Sequence, residues 1–206
     1  MIGSAQPLTA FRTATVGTLS TASLGEEPAP PWVGLLERFY TRGGLPLPLV
    51  SQLRGEQVPE PYRQLLVHSR DMTPTLEAFH GRKLVITVLS RERDQESYLR
   101  EVLLRPATEE RPVEYGVIHI FLDKLPTTAR QAVLAEERPF GDILQTEGVG
   151  HLSWPQSFFQ IEADAHMGRV LGVRPPARLY GRRNVLVDGA RRLLAEVIEV
   201  LPPVDK

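Results

Sequence analysis

The spacing of apolar residues changes period along the chain, and the changes mark out elements. Residues 1–30 hold no sustained period, are rich in Ala, Thr, Ser, Gly and Pro, and run into Pro28-Ala29-Pro30-Pro31. They read as an irregular arm, with a single domain over 31–206. Trp32, Leu35, Leu36 and Phe39 then recur at helical spacing and Gly43-Gly44 stops them, which predicts a helix over 32–40. A Pro-rich connector precedes a second helix over 60–68, with Pro61 in its first turn and Tyr62, Leu65 and Leu66 on one side. A polar turn over 69–75 follows, where Thr73 or Thr75 is placed to cap a short helix reaching Phe79 and ended by Gly81.

From there the period shortens to two. Strands are predicted over 84–89, 97–105 and 112–122, then a helix over 126–136 and a short helical piece over 142–146 behind Pro139-Phe140-Gly141. A strand over 157–163, a helical turn over 166–173 and strands over 184–187 and 193–201 complete the chain. Asp188-Gly189 between the last two apolar runs signals a hairpin. Helices, then strands, then helices, then a closing hairpin predict an α+β fold, an antiparallel sheet packed with helices.

Two strands carry charge among apolar neighbours. In 97–105, alternation puts Tyr98, Arg100, Val102 and Leu104 on one face and Ser97, Leu99, Glu101, Leu103 and Arg105 on the other. A guanidinium on a largely apolar face needs an anion. That anion is either a ligand carboxylate, which the planar fork suits, or a carboxylate of the chain itself. In 193–201, Glu199 shares a face with Ala195, Val197 and Leu201, and Glu196 shares the other with Leu194, Ile198 and Val200. Either glutamate is placed to act in acid–base chemistry if its surroundings are apolar, or to pair with an arginine.

Composition narrows the classes. The chain has 206 residues, 42% hydrophobic and 24% charged, with 24 basic and 25 acidic residues for a net charge of -1. Such a balance gives no general attraction to nucleic acid or to an anionic membrane. There is no cysteine, so disulfides and thiolate chemistry are excluded. The five histidines show no i, i+4 pairing of a helical zinc site, and no phosphate-binding loop, dinucleotide fingerprint or nucleophile elbow occurs. No apolar run reaches membrane-spanning length. Together these point to a cytoplasmic protein that uses no metal or organic cofactor.

Longer strings go further. Ser97-Tyr98-Leu99-Arg100-Glu101-Val102-Leu103-Leu104, then Tyr180-Gly181-Arg182-Arg183, Asp188-Gly189 and Ile198-Glu199-Val200-Leu201-Pro202-Pro203, resemble the arginine strand and closing hairpin of the chorismate pyruvate-lyase family. Pro139-Phe140-Gly141 is similar to the family's Pro-Leu-Gly, and Asp71-Met72-Thr73-Pro74-Thr75 to its turn before the short helix. The resemblance covers about residues 60–203.

It implies a lyase that eliminates pyruvate from chorismate to give 4-hydroxybenzoate, for quinone synthesis or specialised metabolism. Arg100 would bind the ring carboxylate, and Glu199 would sit by the hydroxyl or assist proton transfer; an ungapped count from Gly189 picks Glu196 instead. Arg182 or Arg183 would attract the second carboxylate. Phe140 and Gly141 would line the pocket and offer a backbone amide. Met72 or Thr73 would supply the amide that Pro74 lacks. The expected partner is chorismate alone, with no nucleic acid and no membrane, in a monomer or small homo-oligomer. The same fold class includes ligand-binding domains of bacterial transcription regulators. A non-catalytic domain that recognises a small aromatic carboxylate is therefore the alternative, and a scaffold without a pocket is the third reading. A DNA-reading regulator is disfavoured, with no separate helix-turn-helix segment ahead of the domain.

Overall fold

The computed structural model describes residues 34–204; the arm predicted over 1–30 lies outside them. Helix α1 (Gly34–Arg42) forms where Leu35, Leu36, Phe39 and Tyr40 repeat on one buried side. Strand β1 (Val50–Leu53) leads through a 3-10 turn at Gly55–Gln57 to α2 (Tyr62–Leu66) and α3 (Met72–His80). Then come β2 (Leu84–Arg93), β3 (Ser97–Pro106), β4 (Glu114–Phe121), α4 (Thr127–Ala135) and α5 (Phe140–Thr146). The chain closes with β5 (His151–Glu162), α6 (Ala165–Leu171), β6 (Arg178–Asp188) and β7 (Leu193–Leu201). The seven strands make one sheet in the order β1-β5-β6-β7-β4-β3-β2, and every neighbouring pair is antiparallel. The α+β class expected from the pattern is the class that forms.

Helices cover both faces of the central strands. Against one face, α1 and α6 pack on Leu99, Leu103, Tyr115, Val117, Ile198 and Val200. Against the other, α4 and α5 cover Tyr98, Ile118, Ile120 and Val197, while α2 and α3 cover Leu104 and Leu201. Strand β3 is buried along almost its whole length. Alternation alone therefore assigns its residues to faces without saying which face is wet. Among the described residues no helix is long and apolar enough to cross a membrane.

Local departures have physical causes. Asp71, not Thr73 or Thr75, stands at the N-cap of α3, and Gly81 ends it in the left-handed region at φ 65°. Strand β5 starts six residues before its apolar pattern does. Its first half carries exposed Leu152 and Trp154, and the register shifts between Pro155 and Ser157. The β6–β7 turn does not use Gly189 as its left-handed residue. Asp188 Oδ1 accepts the amides of Ala190 at 2.9 Å and Arg192 at 2.8 Å, and Arg191 takes φ 62°.

Candidate functional site

A cavity of about 560 Å³, its mouth included, lies between the sheet and the first turns of α3 and α5. Antiparallel register lays out its floor. Arg100 of β3 stands across from Ile118 of β4, Ile118 from Val197 of β7, and Val197 from Asn184 of β6. One step along, Val102 faces Gly116 and Gly116 faces Glu199. All of these line the cavity, with Leu104 and Glu114 one step further on. The roof is Asp71, Met72 and Thr73 from α3 and its cap, and Pro139, Phe140 and Gly141 from α5.

Arg100 is 1% exposed, yet its Nε and Nη1 have no hydrogen-bond partner, and Nη2 donates to the Arg138 carbonyl at a long 3.4 Å. Burial pushes its guanidinium below its ordinary value. The nearby carboxylate of Glu136 is taken by the Tyr98 hydroxyl and by Arg91. Two helix N-termini border the same cavity, and the amides of a first turn have no intrahelical acceptor. Both features favour an anion here.

The far side is carboxyl-rich. Arg182, wholly buried, is ion-paired with Glu199, and it donates to the carbonyls of Leu66 at 3.2 Å, His68 at 3.0 Å and Arg70 at 3.2 Å. Glu114 is buried beside this pair with Oε2 unpartnered. Burial, and then the charge of Glu199, push its carboxyl well above the usual carboxylate range, while Arg182 opposes them. Asn184 donates to Ser153 Oγ at 2.9 Å and leaves Oδ1 unpartnered. Four buried atoms without partners thus belong to three residues of one cavity. Such clustering is unusual, because buried polar groups are normally satisfied.

The structure brings Arg100, Glu199, Met72, Thr73, Phe140 and Gly141 together around the cavity. It removes two residues from that group. Glu196 lies on the opposite face of β7 and pairs with Arg183 at 2.6 Å; a step of three residues along a strand reverses the side-chain direction. Arg182 is not a free cation for a second carboxylate, because its donors are spent on Glu199 and three carbonyls. Pro74 lies outside the cavity lining. Glu114, Asn184 and Gly116 are lining residues that sequence reasoning missed. The alternation of β4 held a signal for Glu114, an acidic residue two positions from Gly116 on one face, but nothing in it distinguishes a buried face from a wet one.

No protein-family model and no curated protein sequence matches the chain. Solved structures do resemble it. PhnF from Mycobacterium smegmatis aligns with TM-score 0.50 at 10% identity over 66% of this chain and 65% of that one. The effector domain of the same protein aligns with TM-score 0.50 at 11% identity over 64% and 88%. A transcriptional regulator of the GntR family from Bacillus cereus aligns at TM-score 0.44, 12% identity, over 58% and 92%. Identities this low speak for the fold alone. One of these neighbours is an effector domain, and the likeness overturns two expectations drawn from the sequence. The expectation of an enzyme and the exclusion of nucleic acid from the partners are both withdrawn. The chain shares with PhnF and its effector domain an antiparallel α+β fold.

Proposed function

We propose that this chain is a non-catalytic binding domain for a small aromatic carboxylate, acting in the cytoplasm. The observation that carries the reading is Arg100, a buried guanidinium with two unpartnered nitrogens lining an otherwise largely apolar cavity. A buried cation without a counter-ion is costly, and a carboxylate entering the cavity supplies one. Phe140, Ile118, Val102 and Leu186 offer apolar surface to a ring. Binding without turnover also fits Glu199, whose carboxylate is held by Arg182. That an effector domain uses this fold lends further support.

The test is isothermal titration with 4-hydroxybenzoate, alongside incubation with chorismate. The expected outcome is saturable binding with no 4-hydroxybenzoate formed above the uncatalysed rate. Arg100→Ala should weaken binding by tenfold or more, as expected for loss of a charge-assisted bidentate contact at about 1.4 kcal/mol per tenfold. Arg105→Ala, outside the cavity lining, should leave it unchanged. Equal effects of the two substitutions would sink the proposal.

A further inference from the structure

We propose that Glu114 is a specificity-determining residue of this cavity, selecting a neutral oxygen-bearing group at the end of the ligand away from Arg100, where Glu199 disfavours a second anion. The inference rests on the carboxylate-binding reading and adds the chemistry of the other end of the ligand.

Register separates the two ends. Arg100 and Leu104 are four residues apart on β3, and Tyr115, the residue after Glu114, pairs with Leu103. Glu114 pairs with Leu104 itself, roughly 13 Å along the strand direction from Arg100 at the ordinary rise per residue. Glu114 and Gly116 share a face of β4, and Gly116 stands directly across from Glu199. Gly116 has no side chain to part the two carboxyls. A Cβ added there would meet Glu114 Oε1 at 3.4 Å and Val102 Cγ2 at 3.1 Å. The glutamate therefore folds back over the glycine.

Charge then fixes what Glu114 can do. Among the described residues, the cation that acts on it, Arg182, is paired with Glu199. A second carboxylate in the same buried place has no counter-ion, and two like charges so close cannot both stay ionised. Burial and Glu199 both push the Glu114 carboxyl towards its protonated form. A carboxylic acid has one O–H to donate, and Oε2 has no partner within the protein. The complementary ligand atom is a neutral acceptor, a hydroxyl or carbonyl oxygen. A second carboxylate would instead face Glu199. The site then takes monoanions with an oxygen at the far end.

Four probes separate these features in titrations near pH 7: benzoate, 4-hydroxybenzoate, terephthalate and monomethyl terephthalate. The expected order puts 4-hydroxybenzoate about tenfold tighter than benzoate. Monomethyl terephthalate, which keeps the size of terephthalate and a carbonyl acceptor without the second charge, should bind about tenfold tighter than terephthalate. Glu114→Leu should abolish the preference for 4-hydroxybenzoate over benzoate and keep benzoate binding, whereas Glu114→Gln, which retains a neutral donor, should keep that preference within a few-fold. Circular dichroism confirms that each variant folds. If wild type binds benzoate and 4-hydroxybenzoate equally, or Glu114→Leu keeps the preference for 4-hydroxybenzoate, the role of Glu114 is refuted while the Arg100 site stands. Failure of all four probes to bind refutes the carboxylate site and this inference with it.

Discussion

Two buried arginines in one sheet do opposite work, and their surroundings decide which. Arg182 has a carboxylate and three carbonyls about it; Arg100 has one long contact to a carbonyl. Breaking a buried ion pair strands the remaining charge. Glu199→Ala should therefore destabilise the fold by about 3–5 kcal/mol, measured by urea unfolding. Replacing an unpartnered buried donor with an apolar side chain of similar reach should do the reverse. Arg100→Met is expected to raise stability by roughly 1–3 kcal/mol while abolishing carboxylate binding. A variant that lost both stability and binding would show that Arg100 is a structural residue and not a recognition group. The sequence placed Arg100 on a strand and offered it a ligand or an internal carboxylate as partner, whereas Arg182 stood just ahead of a predicted strand and had a role only through the resemblance. Only the partners contributed by distant segments, the loop after α2 for Arg182 and the α4–α5 connection for Arg100, separate a structural cation from an unmatched one.

At the scale of elements, the roof of the cavity is held by a contact remote from it in sequence. His151 Nε2 lies 2.8 Å from Asp71 Oδ2, so the first residue of β5 ties down the N-cap of α3. The hydrogen bond to Asp71 raises the His151 pKa above its ordinary value, and burial opposes the shift. The folded state thus holds the proton more tightly than the unfolded chain. The stabilisation is complete below the unfolded value near 6.5 and is lost as pH rises through the higher folded value. Between pH 6 and 9 the melting temperature of wild type should fall further than that of His151→Gln, and amides in the first turn of α3 should exchange faster at the high end relative to the variant. Identical pH profiles for the two would remove His151 from this role. This clamp also shows where sequence reading reached its limit. The apolar periods located most elements, because helical and strand spacing are local properties. Strand β1 escaped, since four residues between prolines and a 3-10 turn hold too little period. So did the first half of β5, where exposed Leu152 and Trp154 break the alternation. Arg100, Glu199, Met72, Thr73, Phe140 and Gly141 were legible through their strings. Glu114, Asn184 and Asp71 acquire meaning only from neighbours that the register and the helix packing bring to them.

For the whole molecule, the sheet divides the protein into two unequal halves. The face under α1 and α6 is a close-packed core with Phe159, Ile161, Met167, Leu171 and Leu179 fully buried. Gly181 shows how tight it is, since an added Cβ there would fall 2.5 Å from both the Glu199 carbonyl oxygen and Phe159 Cζ. The face under α3 and α5 contains the cavity. A ligand held by Arg100 touches the sheet below and both helix starts above, so its binding free energy should be felt mainly by that half. At a hundred times its Kd, a ligand that binds only the folded state adds about 2.7 kcal/mol. At roughly 2–4 °C per kcal/mol for a chain of this size, the midpoint should rise by about 5–10 °C. Amide exchange should slow in α3, in α5 and in the middle of β3 and β7, and stay unchanged in α1 and α6. Protection spread evenly over both faces would mean that the ligand acts through global stability alone, and protection confined to α1 and α6 would place its site on the wrong side of the sheet. The contrast between the two helix sets tests whether the cavity, with its unmatched guanidinium and its buried acid, is the working face of the molecule.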